Sequence, residues 1–395
     1  MKNKNILFLC QYFYPEKISS GVLPFELATS LSKEGYNVNA LVGYPKEYSD
    51  KNKVELNETI KGVNIKRVKY IQSSRSNFIG RIMNYIGFCI SIAIHPLKFK
   101  ANDIFICYTN PPLLPFIAAL YNRLFKKQMI LIVYDLYPDV AVKLGMLNNK
   151  SIIVKLFNRI NNFVYKNINT IVVLSSEMKK YLIEIKHLDS SKIRVIPNWY
   201  MDLKPNLEYS ESDKKNIKVF YGGNMGLAQN IEIILETAKI LKNEKGIEFY
   251  FVGHGIKKDK IAQQKEKENL ENVYIYNFLP KDEYDKLVQT ADIVIVSLEK
   301  KVKGLGSPSK VYSYLSAGKP IIAIMPEETD VVNDIIRWKN GIVITDENCE
   351  KLSKELLKLK GNQKLLLEMG KNSRILFEEK YTLDICKKQY LNILK

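Results

Sequence analysis

The sequence predicts an α/β protein of two doubly wound, Rossmann-like domains facing a cleft. Three observations carry that prediction. With 395 residues, the chain is longer than one hydrophobic core usually organises. Short apolar runs recur along it, with segments of helical spacing between them. Each half also opens in the same way, on a strand, a glycine-containing turn and a helix.

The runs of the first half are Ile6–Cys10, Val38–Val42, Ile104–Tyr108, Met129–Val133 and Ile171–Leu174. Those of the second are Val219–Tyr221, Glu248–Val252, Val273–Tyr276, Ile293–Ser297, Pro320–Ile324 and Ile342–Ile344. They are continuous rather than alternating, as strands are when a parallel sheet is covered on both faces. The helices between them supply the cover. Leu23, Leu27 and Leu31 fall on one face at helical spacing, and so do Ile231, Ile234, Leu235 and Ala238. The join lies near Pro197–Glu211, where Pro205–Asp213 is polar and aperiodic and reads as a linker. The expected domains are therefore 1–200 and 201–375, with a helix over 376–395 packing back towards the first.

Composition narrows the class. A hydrophobic fraction of 46% beside 26% charged residues excludes a disordered chain and a polytopic membrane protein. Five scattered cysteines contain no C-x-x-C pair, so neither a zinc site nor a disulfide framework is expected. The apolar start Ile6–Cys10 stops at Gln11 with no small-residue cleavage site, so it reads as a strand and the protein as cytoplasmic.

The net charge of +18 asks for an anionic partner. From Lys61 to Lys100 there is no Asp or Glu, while Lys61, Lys66, Arg67, Lys69, Arg75, Arg81, Lys98 and Lys100 are all basic. Within that stretch the apolar run Ile82–Leu97 is too short to span a bilayer. A basic, apolar segment over about 75–100 suits an anionic membrane surface. A buried core helix with solvated ends is the competing reading. No nucleic-acid recognition motif accompanies the charge, so no nucleic acid is expected as partner.

Chemistry is expected where strands end. Val219–Gly226 runs through Gly222, Gly223, Asn224 and Gly226 towards a helix from about Asn230. Glycines let backbone approach a ligand closely, and a helix start favours phosphate. The pattern is neither a Walker loop nor G-x-G-x-x-G. A second loop, Gly304–Pro308, leads into a helix that Ser309 is placed to cap, with Lys310 able to reach a diphosphate. In the first half, Gly21 follows Tyr12–Glu16 and offers another close approach ahead of a helix from about Pro24. Asp135 and Asp139 follow the strand Met129–Val133 and, with Glu16, are the acid/base or acceptor-binding candidates. His254 sits on a further strand-end glycine turn and reads as donor-site lining. His95, His187 and His254 have no metal-ligand spacing.

With these motifs in order, the chain resembles the family 4 retaining glycosyltransferases of the GT-B type. The likeness is greatest to the bacterial branch that builds polysaccharide repeat units, including fucosamine and fucose transferases. The carriers are Tyr14-Pro15-Glu16, Asp135–Asp139, Val195–Trp199, Gly222–Gly226, Val252–Gly255, Pro308-Ser309-Lys310 and Ala317–Pro320. The resemblance implies a nucleotide-sugar donor on the second domain, its phosphates on Gly222–Gly226 and Lys310. It places the base near His254, Phe278 and Leu279, and the acceptor against the first domain. It implies no metal and no cofactor, since the nucleotide-sugar is a substrate. One departure stands out: the family's E-x7-E pair falls on Leu305 and Ser313, neither acidic. The donor ribose then has to be held by Ser313, Ser309 or a neighbour.

The expected function is retaining transfer of a sugar from a UDP-sugar, ahead of GDP- or ADP-linked ones. The expected acceptor is a polyprenyl-diphosphate-linked saccharide in capsule, O-antigen or exopolysaccharide synthesis. The work would be done peripherally on the inner face of the cell membrane. A nucleotide-sugar 2-epimerase shares the fold but wants cleft carboxylates and a histidine that are poorly supplied here. A catalytically inactive sugar-nucleotide-binding assembly subunit is the third reading, favoured by the missing acidic pair.

Overall fold

The structure, a computed structural model, describes residues 4–45, 54–73, 78–205 and 216–395. Arg75 and the linker residues 206–213 lie outside the described residues. The chain divides into two compact units, one of Met1–Pro197, Leu305–Ser307 and Cys386–Lys395, the other of Asn198–Gly304 and Pro308–Ile385.

The first unit is built on β1 (Asn5–Cys10), β2 (Asn37–Gly43), β3 (Asn57–Ile60), β4 (Val63–Val68), β5 (Ile104–Tyr108), β6 (Gln128–Val133), β7 (Thr170–Val173) and β8 (Ile193–Val195). They form one sheet in the order β3-β4-β2-β1-β5-β6-β7-β8, parallel except for the β3–β4 pair. That pair is a tight hairpin in which Lys61 (φ 47°) and Gly62 (φ 79°) both take left-handed backbone, as a two-residue turn of matching twist requires. β1 lies between β2 and β5, so the sheet's direction of winding changes there and its crevice opens beyond Cys10. The apolar runs fill the core: Phe8, Ile104, Phe105, Ile106, Ile130 and Val172 are fully enclosed. Cys386–Lys395 completes this unit, with Tyr390 and Leu394 buried, Gln128 donating to the Ile393 carbonyl at 3.1 Å and Lys387 paired with Glu34 at 3.0 Å.

The second unit holds β9 (Ile217–Asn224), β10 (Ile247–His254), β11 (Val273–Tyr276), β12 (Ile293–Ser297), β13 (Ile321–Ile324) and β14 (Gly341–Ile344). All neighbours run parallel in the order β11-β10-β9-β12-β13-β14. The winding changes at β9, between β10 and β12, and the crevice beyond Asn224 is where such sheets bind ligands.

Two features of the basic stretch differ from expectation. Arg67 is a core group rather than a surface one: it is 2% exposed, donates to the carbonyls of Glu55 (2.7 Å) and Tyr14 (2.9 Å), and pairs with Glu58. The run Ile82–Leu97 is two helices, Phe78–Ala93 and Pro96–Lys100, separated at Ile94 and His95. The longer one is amphipathic. Asn84, Phe88, Cys89 and Ile92 are buried, and Asn84 is clamped to the Ser73 backbone at 2.7 and 2.9 Å. Ile82, Met83, Ile86 and Ile90 face outwards.

Candidate donor site and the first-unit carboxylates

The glycine motif of the second unit is strand before it is loop. Gly222, Gly223 and Asn224 are the last residues of β9, paired in register with Val252, Gly253 and His254 of β10. The sequence placed them in a loop because three glycines in five residues read as a turn. Here they let two strand ends approach. A Cβ on Gly253, whose φ is +145°, would stand 2.0 Å from the Gly223 carbonyl oxygen, and one on Gly255 would stand 2.4 Å from that of Met225. Gly253→Ala should therefore lower stability by about 2–3 kcal/mol, measured by urea unfolding, because backbone rather than a flexible side chain must yield.

The phosphate-binding expectation for this loop is narrowed by its own hydrogen bonds. The Gly222 N–H donates to the Tyr314 hydroxyl at 2.9 Å, that of Met225 to the His254 carbonyl at 2.7 Å, and that of Gly226 to Gln229 Oε1 at 3.1 Å. The following helix starts at Glu232 rather than Asn230, and Glu232 in its first turn pairs with Lys257 at 2.8 Å. These donors and this helix end already have partners.

Lys310 does not. Its Nζ is buried with no hydrogen-bond partner, 3.7 Å from the centre of the Tyr221 ring. Gly223, whose φ is +102°, packs against it: a Cβ there would lie 3.9 Å from the Nζ, in ordinary contact. Burial pushes the Lys310 amine down from 10.5 to about 7. The contrast with Lys257 is instructive, since Lys257 answers Glu232 at 2.8 Å, Glu299 at 3.6 Å and the Gln229 carbonyl at 2.6 Å. One lysine is a structural tie. The other is a charge held out of water with only an aromatic face opposite it, and that arrangement stabilises a bound anion.

Ser309 precedes the helix Lys310–Ser316 but does not cap it: its φ and ψ are already helical and its side chain makes no capping bond. Ser313 is buried and donates to the Lys310 carbonyl at 2.8 Å, one turn back. Its other neighbour is Tyr284, whose hydroxyl hydrogen-bonds to Ser313 and Tyr314, burial pushing that phenol up to about 12. Tyr284 also explains Gly222, where a Cβ would fall 2.6 Å from its ring and hydroxyl. Tyr221, Tyr284 and Tyr314 thus wall the site beside the lysine, and none was singled out from sequence. Tyr221 and Tyr314 lie inside the two motifs, whereas Tyr284 comes from a distant helix, Lys281–Thr290, with no local signal. His254 and Phe278 do come together, rings edge-to-face at 5.7 Å and both exposed, the one ending β10 and the other just past β11, with Leu279 half-buried beside Phe278.

In the first unit the three carboxylates part company. Glu16 is buried in the turn after β1, its N–H donating to the Phe13 carbonyl at 2.8 Å. Gly21 is not a turn. It lies in the first turns of the helix Ser19–Lys33, which starts ahead of Pro24, and a Cβ there would meet the Glu16 carbonyl at 3.1 Å. Its role is to let that helix pack on the Glu16 segment. Asp139 is an ion-pair residue: Lys186 donates to it at 2.7 Å and the Tyr181 hydroxyl at 2.9 Å. Asp135 is exposed and bridged to Gly306 of the same unit. Desolvation nevertheless raises its carboxyl to about 6. Among the described residues no group of three His, Cys, Asp or Glu is placed to hold a metal ion.

Two doubly wound parallel-sheet units, the second with a buried lysine beside its switch-point strand, are the architecture of the GT-B fold. Comparison with known proteins makes this specific. Residues 205–375 match the family Glycosyl transferases group 1. The chain is 28% identical over 274 residues to the probable glycosyltransferase WbjE of Pseudomonas aeruginosa, which covers 67% of this chain and 68% of that protein. It is 23% identical over 370 residues to the poly(ribitol-phosphate) alpha-N-acetylglucosaminyltransferase of Staphylococcus aureus, covering 91% of this chain and 68% of that one. Anabaena HepE, solved in complex with UDP and glucose, superposes with a TM-score of 0.71 over 99% of both chains at 13% identity, which establishes the shared fold. The protein is an enzyme, a glycosyltransferase carrying a group 1 domain on the GT-B fold.

Proposed function

We propose that this enzyme moves a sugar from a UDP-sugar to a lipid-diphosphate-linked saccharide, retaining the anomeric configuration, during assembly of a bacterial surface polysaccharide. The observation that carries the reading is the unpartnered Lys310 ammonium over Tyr221, which lacks only an anion. A nucleotide diphosphate supplies one, and the charge that develops on it as the glycosidic bond breaks would be held by Lys310 without a metal. The base of the nucleotide would pack on His254 and Phe278. HepE was solved with UDP, and the Staphylococcus relative is an N-acetylglucosaminyltransferase; both support a UDP-linked donor. The fucosamine or fucose branch suggested by the motifs belongs to this proposal too. The leaving phosphate itself takes the acceptor's proton, so no strong protein base is required.

Incubation with UDP-sugars and undecaprenyl-diphosphate-linked saccharide in detergent should give a product heavier by one sugar. Failure with every common donor would remove the reading.

The same proposal puts the enzyme on the anionic, cytoplasmic leaflet. No helix among the described residues is long and apolar enough to cross a membrane. The outward apolar face of Phe78–Ala93 and the exposed cations Arg81, Lys98 and Lys100 support surface attachment instead. Replacing those three cations by glutamine should cut binding to phosphatidylglycerol vesicles about 100-fold, at roughly 1 kcal/mol per charge. Unchanged co-sedimentation would return the segment to a purely structural role.

A further inference from the structure

One apolar surface serves neither the donor site nor the core of the first unit. It is the start of the helix Ile152–Lys166, which joins β6 to β7. Ile152 is 82% exposed, more than any other large apolar side chain among the described residues, and Ile153, Leu156 and Met146 are each at least half exposed. The helix needs none of them for its own packing. Ser151 caps it, its hydroxyl oxygen accepting from the Val154 N–H at 3.3 Å, and Val154 and Val164 carry its buried side.

Topology places this helix start at the crevice edge. β6 and β7 run parallel, so the helix between them runs back against the strands and begins at their carboxyl ends. Asn161, in its third turn, donates at 2.6 Å to the carbonyl of Tyr137, which lies just past the end of β6. A helix rises ~1.5 Å per residue, which puts Ile152 about 13 Å further along the axis. The apolar residues therefore sit on a helix end beyond the strand ends, on the edge where the first unit's crevice opens. Tyr137, itself exposed, lies within electrostatic reach of Arg81 and Tyr85, which ties this edge to the start of the helix Phe78–Ala93.

The charge around the helix start is one-sided. Between Leu136 and Ser176 the sequence has five Lys and Arg against one Asp. That one, Asp139, is paired with Lys186 at 2.7 Å. Lys143, Lys150, Lys155 and Arg159 are exposed and have no carboxylate partner among the described residues. Cations around an exposed apolar tip match a partner that is anionic at its surface and hydrocarbon beneath, which is a bilayer of acidic lipids. A second copy of this chain would bring the same cations against one another. A nucleic acid would answer the cations but leave the isoleucines in water.

We propose that Ile152, Ile153 and Leu156, with Met146 and Tyr137 beside them, insert into an anionic bilayer, while Lys143, Lys150, Lys155 and Arg159 meet its headgroups. The proposal rests on the membrane reading above for its partner and adds a second contact and an orientation. The edge of the first unit at which its crevice opens faces the lipid, so a lipid-linked acceptor reaches the crevice from the bilayer surface.

The test uses the full chain with mixed phosphatidylcholine–phosphatidylglycerol vesicles. The variant Ile152→Ser/Ile153→Ser/Leu156→Ser should lose about tenfold or more in vesicle binding, because its apolar insertion is gone. These positions are exposed, so its urea unfolding midpoint should match the parent's. In a separate variant, Ile153→Trp, lipids brominated in the upper acyl chain should quench the new fluorescence on binding, beyond any quenching of Trp199 and Trp338 in the parent. Serine variants that bind like the parent, or an Ile153→Trp signal that brominated lipids leave untouched, would overturn the proposal. So would lipid-free sedimentation that shows parent dimers which the serine variant fails to form, since the occupant would then be a second copy. Release by the serines, with no release by glutamine at Arg81, Lys98 and Lys100, would leave the tip standing and remove the role of Phe78–Ala93. A parent that ignores anionic vesicles altogether would remove both.

Discussion

Replacing Lys310 by methionine should abolish measurable UDP binding at neutral pH while making the unliganded protein more stable. The side chains are similar in length, so the change removes the charge and little else. In the unfolded chain the amine titrates near 10.5, and in the folded chain burial lowers it to about 7. Between those values the unfolded state binds more protons, so stability rises with pH across the window and is least at and below about 7. The full shift would convert to a larger figure, but Lys310 keeps a partly exposed stem and a favourable ring contact. A gain of roughly 2 kcal/mol for Lys310→Met is the reasonable discount. Thermal unfolding at pH 7 should show it as several degrees. Binding moves the other way. A diphosphate beside the ammonium favours its charged form, so UDP affinity should weaken as pH rises above about 7, by up to ~tenfold per unit. The tyrosines around it stay neutral there, burial pushing both Tyr221 and Tyr284 well up. Lys310→Met should lose about 100-fold or more in affinity and the pH dependence with it. Calorimetry with UDP at pH 6.5, 7.5 and 8.5 checks both, and a variant that binds as the parent does would show that Lys310 is not the phosphate ligand.

The sequence yielded the architecture because continuous apolar runs and single-faced helices are local patterns that the sheet then enforces. Each of the eleven runs became a strand, with ends shifted by at most three residues. Three strands escaped. β3 (Asn57–Ile60) and β4 (Val63–Val68) are interrupted by polar residues, and β4 was read as part of a basic surface stretch. β8 has only three residues. The donor site was half legible. Lys310 and the glycines stood out as charge and punctuation. What surrounds them did not, since the tyrosine wall is assembled from β9 and two helices far apart in sequence. Polarity alone also suggested a capping role for Ser309, but its helical backbone excludes the cap geometry. Ser313, where the family pattern expects an acid, donates to its own helical turn instead, so no carboxylate of the described residues neutralises Lys310. That leaves the lysine poised for a phosphate.

Sequence position could not separate Asp135 from Asp139, whereas their surroundings do. Asp139 and Lys186 are each 17% exposed in their side chains, 2.7 Å apart, and the second carboxylate oxygen of Asp139 has no donor. Lys186→Met should therefore cost about 2–4 kcal/mol in urea unfolding, because it strands a largely buried carboxylate with only the Tyr181 hydroxyl. The double change Asp139→Asn/Lys186→Met should recover much of that loss, since it removes the charge together with its partner. Turnover per folded molecule should be nearly unchanged in both. A drop of ~100-fold or more in kcat for Asp139→Asn, with stability intact, would instead make it the acid/base group. Asp135 is the stricter test of the proposed chemistry. Its carboxyl, raised to about 6, is ionised at pH 7 and could accept a proton. If the leaving phosphate takes the acceptor's proton, Asp135→Asn should cost less than about tenfold in kcat, and the activity profile should keep its shape through pH 6. An acid limb near pH 6 that vanishes in Asp135→Asn would assign the proton to the protein, because a base is lost as pH falls through its own pKa.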